Sequence, residues 1–472
     1  VFKDGVRCSV STAAPASIPA NSFKYVSGEG LYVNVGGGNP GSHELLVGRR
    51  NSGFLISAKS WVVVDGFEVT HAEGRSIRLI TGASDIVVTR NRVRLSNNYG
   101  IQADDAIRIT VEQNVVSDGQ FHGIGFTGTR DGFIRDNESF NNADPVVRRA
   151  NGIYLFDADD NVLSGNRTHN NQDTGMHFTD FSTDNLAFNN RSWNNGDHGY
   201  DHLDAAGTVH VNDVSSGNFR DGFSIEGNSH DTELHNCISV NNGLTTARFD
   251  LWVNQPSMFG FVSDYNIFWN STATEPFKID VTKYATIAAY QAATGQDPHS
   301  LQADPRFVNG PGGDFHLLSD SPAIDSGDSG APDWPPSDAE GHPRSDVPGV
   351  ANSGAGPIDF CDRGPLEYIT NLVAVEPLPP SWVAPRVAPN PLHAGGHLRF
   401  AMAREGSLRV VVYDVAGRRV RTLLDREGAP AGRYDLPLDA SPEGGAPLAP
   451  GLYFYAIETP GRVDRGRFVV LE

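Results

Sequence analysis

Lysine is scarce in this sequence. Lys3, Lys24, Lys59, Lys278 and Lys283 are its only five in 472 residues. Lysine and arginine together number 37 against 57 acidic residues, a net charge of −20. A chain this acidic offers no basic face to nucleic acid. Its surplus carboxylates are the ligands that hard cations take. Cysteine is equally sparse: Cys8, Cys237 and Cys361 are odd in number and far apart. That excludes a disulfide framework and any zinc spacing. No apolar run approaches the ~20 residues of a membrane span. No secretory leader is visible, and residues 1–5 read as a point inside a longer, export-competent precursor. A dense leucine code and long apolar stripes at helical spacing are missing too, which excludes leucine-rich and helical solenoids.

What is present is a short phrase repeated. An asparagine opens a strand at Asn91, Asn114, Asn137, Asn166, Asn190, Asn212 and Asn236, in steps of 23, 23, 29, 24, 22 and 24 residues. A glycine followed by a large apolar residue keeps the same beat: Gly100-Ile101, Gly123-Ile124, Gly152-Ile153, Gly175-Met176, Gly199-Tyr200 and Gly222-Phe223. Two independent marks share one period and one interruption, so this is a solenoid repeat. Each unit holds short alternating runs such as Asp85-Ile86-Val87-Val88-Thr89, the signature of strands. About 23 residues suffice for three strands and three turns. The expected fold is all-β: a right-handed parallel β-helix whose coils must stack to bury their apolar faces. The asparagines read as an internal ladder of side-chain amides.

Along the chain, residues 1–60 are strand-like with Gly-rich turns, and clear coils begin at Trp61-Val62-Val63-Val64-Asp65. The 29-residue step carries an extra loop near 143–149, read either as a binding loop or as a neutral insertion. Regularity fades after Asn270. A helix is expected from Thr286 to Thr294 with Gly295 as its stop, covering the open end of the stack. The expected domains are a β-helix over 1–370 with an irregular cap at about 271–370, a Pro-rich linker at 371–391, and a small β-sandwich over 392–472.

Strand alternation assigns faces. After each marker glycine the first outward column reads Gln102, Gly125, Tyr154, His177, Asp201, Ser224 and Asp250. The second reads Asp104, Thr127, Phe156, Thr179, Leu203, Glu226 and Trp252. Carboxylates here bind Ca²⁺ or do acid–base work. Tyr154, Phe156 and Trp252 offer faces for sugar rings. His202 alternates inward, and His198 lies in a turn, open to either role. Asp197 and Asp201 stand four apart across that turn, with Asp173 one coil earlier; the three are a candidate oxygen cage for Ca²⁺.

These coils resemble the pectate-lyase-like right-handed β-helix superfamily, and within it the family-nine polysaccharide lyases. That family carries an Asp-Asp-Gly-x-Asp calcium motif, matched here by Asp197 and Asp201 with His198 in the middle, and by Asp173 one coil before. Its lysine base, in a Gly-Phe-Lys-Leu-Gly phrase, is replaced in Gly222-Phe223-Ser224-Ile225-Glu226-Gly227 by Ser224. The tail resembles C-terminal sorting or FlgD-like Ig modules of exported bacterial proteins, on Asn390-Pro391, Val412-Tyr413-Asp414-Val415-Ala416-Gly417-Arg418 and Leu448-Ala449-Pro450-Gly451-Leu452-Tyr453. The resemblance implies a secreted or cell-surface bacterial protein, a polysaccharide partner and contact with secretion or surface machinery; the chain is read as a monomer.

Three functions remain open. One is a Ca²⁺-dependent lyase of a uronate glycan, its base sought among His177, Arg220 and His198. Another is an inverting glycoside hydrolase using Asp201, Glu226 and Asp250, which needs no lysine. The third is a non-catalytic glycan-binding surface protein, which the loss of lysine at Ser224 favours.

Overall fold

The computed structural model describes residues 1–369 apart from 247, 273 and 274, and in the tail 386–388, 392, 396–402, 406–415, 417–429, 432–438, 448–459 and 462–471. Most of the expected linker, and Asn390-Pro391, lie outside the described residues. Two compact units result, Val1–Thr370 and Asn371–Glu472.

The first unit is a parallel β-helix. The strands of its coils fall into three parallel sheets of 11, 9 and 9 strands, each strand pairing with the equivalent strand one coil on; in these three the last strand of the longest sheet runs antiparallel, and three small sheets lie outside them. Sheet A runs from Phe54–Ser57 to Thr282–Tyr284, sheet B from Val63–Asp65 to Val262–Asp264, and sheet C from Glu68–Thr70 to Ile267–Trp269. Inward residues form one continuous core, with Ile77, Ile101, Ile124, Ile153, Met176, Tyr200, Phe223 and Leu251 fully buried in a single file. The marker glycines precede this file for want of room. A Cβ on Gly199 would lie 2.0 Å from Ser215 Oγ and 2.8 Å from the Gly222 carbonyl.

The amide ladder exists, with a register correction. Asn91, Asn114, Asn137, Asn166 and Asn190 are buried, and each Nδ2 of the first four donates to the next Oδ1 at 3.0 Å. The next rung is Asp213, not Asn212; its Oδ1 accepts from Asn190 Nδ2 at 3.0 Å. Asn212 (φ 58°) and Asn236 (φ 54°) occupy the left-handed corner just before the rung. Asparagine tolerates that conformation as well as it serves a ladder, so its spacing alone does not separate the two positions. A second ladder, Asn142–Asn171–Asn195–Asn218–Asn242, ends on Asp250 Oδ1.

That ending overturns the expected place of Asp250. Ser224 pairs with Trp252, so Asp250 takes the marker-glycine position and is fully buried. Trp252 belongs to the first outward column, not the second, and Asp250 does not face solvent. The coil before it contains an extra turn at 242–246, and the count shifts by two residues.

The cap begins with a helix, Ile287–Thr294. Thr286 caps it by accepting from Ala289 N–H, and Gly295 (φ 74°) stops it in the left-handed region. Tyr290 stacks on Phe277 at 4.9 Å and closes the core. The second unit contains a three-stranded sheet (Arg386–Ala388, His397–Met402, Gly432–Pro437) and a four-stranded antiparallel sheet (Gly406–Tyr413, Arg419–Ala429, Gly451–Thr459, Arg462–Val470). Leu398 and Phe400 of one pack with Leu408, Val410, Tyr455 and Phe468 of the other, a small β-sandwich.

Candidate active site

Sheet A presents the outward file Arg78, Gln102, Gly125, Tyr154, His177, Asp201, Ser224, Trp252 and Lys278, paired residue to residue from coil to coil. Glu226 projects from the same strand as Ser224, and Ser224 Oγ donates to Glu226 Oε1 at 2.7 Å. The turn before sheet A brings in His198. Its imidazole, the Asp201 carboxylate and the Glu226 carboxylate offer atoms that all lie within 4.8 Å of one another.

Burial alone would lower the pKa of His198, but Asp201, Asp221 and Asp197 outweigh it and hold the ring at about 9. Its Nδ1 lies 3.2 Å from the Asp221 backbone N and 3.3 Å from Asp221 Oδ2. Only the carboxylate suits a protonated ring. Oδ2 is fully buried and has no other partner, so the imidazolium is the assignment that satisfies it. Nε2 lies 3.7 Å from Asp197 Oδ1 and 4.0 Å from Glu226 Oε1.

His177 is oriented from the opposite side. Asn151 Oδ1 accepts from Thr174 N–H at 2.9 Å, which fixes its amide. Asn151 Nδ2 therefore donates to His177 Nδ1, 3.3 Å away. In that tautomer the proton sits on Nε2, which lies 3.5 Å from Asp201 Oδ2 without a hydrogen bond to it. With Nδ1 engaged, His177 is a donor here and not the free base sought among the histidines. Burial and the charge of Asp201 push the Glu226 carboxyl above its ordinary range.

Asp173 and Asp197 do not join Asp201. Arg148, carried by the extra loop, reaches Asp197 Oδ2 at 2.8 Å and Asp173 Oδ1 at 3.4 Å; Arg220 reaches Asp197 Oδ1 at 2.9 Å. Even so, burial and neighbouring Asp197 raise Asp173 to about 6. Among the described residues the ligand atoms that do cluster are those of His198, Asp201 and Glu226, one coil further along than the expected cage, and His198 would have to give up its proton to join a cation there. Two carboxylates and one nitrogen fall short of the 6–8 oxygens Ca²⁺ takes.

The aromatic residues differ in what they offer. Tyr154 stacks one face on His122 at 4.1 Å and meets the edge of His177. Burial pushes its phenol up to about 12. Trp252 carries the Lys278 ammonium over its ring at 4.0 Å. Phe156 is 38 % exposed. His122, Asn151, His198 and Asp221 all stand immediately before a marker glycine. That column was visible in the sequence and would have found them; Arg148, delivered by an irregular loop, left no periodic trace.

The strand register, the nine-coil stack and the core file decide the fold. The first unit is a right-handed parallel β-helix. Residues 16–228 match the family described as periplasmic copper-binding protein (NosD). Among solved structures, the β-helix is similar to pectate lyase Pel9A at 14 % identity, over 69 % of this chain and 85 % of that one, with a TM-score of 0.44. It is also similar to the A-module of the Azotobacter vinelandii mannuronan C-5 epimerase AlgE4, at 14 % identity over 53 % and 81 %, TM-score 0.38. The periplasmic alginate epimerase AlgG matches at 17 % identity over 45 % and 53 %, TM-score 0.29. No curated protein matches the chain. Among the described residues no helix is long and apolar enough to cross a membrane.

Proposed function

We propose that this is a secreted, carbohydrate-active enzyme that cleaves a uronate-containing glycan by β-elimination over sheet A. One observation carries the reading: Asp201 and Glu226 rise from one sheet face, close together, between two ring donors. A glycan lying on that face meets both carboxyls from the same side. Asp201 is the base and removes the proton α to the uronate carboxylate. Its charge is supported by His177 Nε2–H and by the His198 imidazolium. The electron pair forms the new double bond, the glycosidic C–O bond breaks, and Glu226, with its raised pKa, gives a proton to the leaving oxygen. Arg148 and Arg220 stand at the rim, 40 % and 36 % exposed, placed to meet the uronate carboxylate.

Calcium does not fit Asp173, Asp197 and Asp201 as a cage, because Arg148 and Arg220 pair with Asp173 and Asp197. Copper, named for the matched family, suits thiolate, thioether or several imidazoles. Here Cys8, Cys237 and Cys361 are buried and unpaired, and the reactive cluster has a single imidazole. No step is routed through a metal.

Inversion by Asp201 and Glu226 conflicts with their spacing, which is below the ~6.5–9.5 Å that inversion needs, and Asp250 is buried. Their closeness is nearer to the ~5–5.5 Å of a retaining hydrolase, and that is the second reading. Polyuronate incubated with the protein decides between them. Elimination yields an unsaturated uronate chromophore, and retention yields reducing ends without it. Neither product from any polyuronate leaves a glycan-binding protein.

The sandwich unit we assign to secretion or surface attachment. Its Tyr413 and Gly451-Leu452-Tyr453 phrases stand in the central strands of the larger sheet.

A further inference from the structure

The outward file does not end at the reactive cluster. Ser224 pairs with Trp252, and Trp252 with Lys278. Lys278 thus stands three coils beyond Asp201, ~14 Å at the ordinary coil spacing of ~4.8 Å. It faces Lys283 directly across the antiparallel pair that closes sheet A. Like charges placed opposite one another destabilise a sheet. Two of the chain's five lysines are spent on this contact.

Their surroundings neutralise only one of them. Lys278 Nζ lies 4.0 Å from the centre of the Trp252 ring and 5.7 Å from that of Phe249; Lys283 Nζ lies 5.4 Å from Phe249. Lys283 has Glu275 at 3.4 Å. Among the described residues no carboxylate forms an ion pair with Lys278. Ring faces can seat an ammonium, but they leave its three N–H donors without strong acceptors. Trp252 Nε1–H is buried and has no partner either. Donors, aromatic surface and uncompensated positive charge therefore meet at one end of the proposed glycan track.

We propose that Lys278, with Lys283 and Trp252, forms a distal subsite for a carboxylate-bearing sugar unit of the glycan. This rests on the glycan reading above and adds where the chain extends: past Ser224, toward the cap. Lys278, seated over the Trp252 ring, donates to the carboxylate, and Lys283 supplies the second charge. The subsite selects acidic over neutral glycans at a distance from the chemistry, and it favours chains long enough to span both places.

Calorimetric titration of the Glu226→Gln protein tests it, since binding is read without turnover. The probes are oligogalacturonates and oligomannuronates, each as a dimer and a hexamer, with their carboxyl-reduced counterparts. Adding Lys278→Gln should weaken binding of an acidic hexamer ~10-fold and leave the dimer unchanged. Lys278→Arg should retain hexamer binding. The reduced oligomers should not register the substitution, and the melting temperature should hold or rise as the like-charge pair is relieved. Hexamer affinity equal in the presence and absence of Lys278→Gln overturns the subsite and leaves the glycan reading standing. If the Glu226→Gln protein binds no uronate oligomer of either kind, the glycan reading fails and the subsite with it.

Discussion

Asp201 and Glu226 differ by one methylene and by their company, and the company sets their roles. Asp201 has a ring N–H on one side and an imidazolium on the other. Glu226 has burial and a neighbouring negative charge, which favour its proton. Asp201→Asn should remove the base and lower kcat by ~10²–10⁴-fold with the glycan still bound. Glu226→Gln should cost a comparable factor. In the parent, kcat should fall as pH rises through the Glu226 ionisation, above the ordinary carboxylate range; a profile flat across that range removes Glu226 as the acid. Asp250 gives a separate test. Burial raises its pKa to about 8. Unfolded, it ionises near the usual ~3.9, so between these values the folded state holds a proton that the unfolded state has lost. Stability attributable to this residue falls as pH rises across that window. Asp250→Asn preserves the acceptor for Asn242 and should raise stability by ~1–2 kcal/mol at pH 8, with little change at low pH, as denaturant melts at the two pH values would show.

At the scale of elements, the ladder and the loop do different work. Asn166 is fully buried, donates to Ile134 O at 2.7 Å and to Asn190 Oδ1 at 3.0 Å, and accepts from Asn137. Asn166→Ala would strand several buried partners at ~1–3 kcal/mol each, so a loss of ~3 kcal/mol or more is expected in chemical denaturation. Arg148→Ala should not unfold the coil, since Arg148 is on an exposed loop. It should raise KM for an acidic glycan and, by leaving Asp173 and Asp197 facing each other, push Asp173 further up, a shift that NMR titration would read. The coils, the core file and the helix stop were legible because each is periodic or locally encoded. Asp250 and Trp252 were misplaced because an irregular insertion broke the count by two residues, which keeps the face but moves each residue back one outward position, so that Asp250 falls before the strand. Asn212 was taken for a rung because the corner and the ladder favour the same residue. Of the site, Asp201 and Glu226 could be read from alternation; the ion pairs from Arg148 could not, because they depend on a loop whose path has no repeat.

At the scale of the molecule, the β-helix has a polar seam inside its apolar core. Asp213 Oδ2 meets His210 Nδ1 at 2.8 Å, and His210 Nε2 meets His202 Nε2 at 3.0 Å, all fully buried. Burial holds His210 down at about 3. An unfolded histidine takes up its proton near the usual ~6.5. Below that value the unfolded chain binds a proton the folded one refuses, so stability drops steadily from pH ~6.5 toward 3. His210→Phe should flatten this acid limb even if it lowers the plateau; an unchanged slope would assign acid sensitivity elsewhere.

The amide ladders also have a direction. Each asparagine rung gives its Nδ2 to the coil ahead and takes from the coil behind, so the amide relay runs one way, and an aspartate, having no Nδ2, ends it. Asp213 and Asp250 are such terminators. A coil copied between Asn166 and Asn190 would splice in with every amide matched, lengthening the glycan track by one step. The same coil appended beyond Asp250 would meet a carboxyl in place of an amide, so the relay can be extended in its middle but not past that rung.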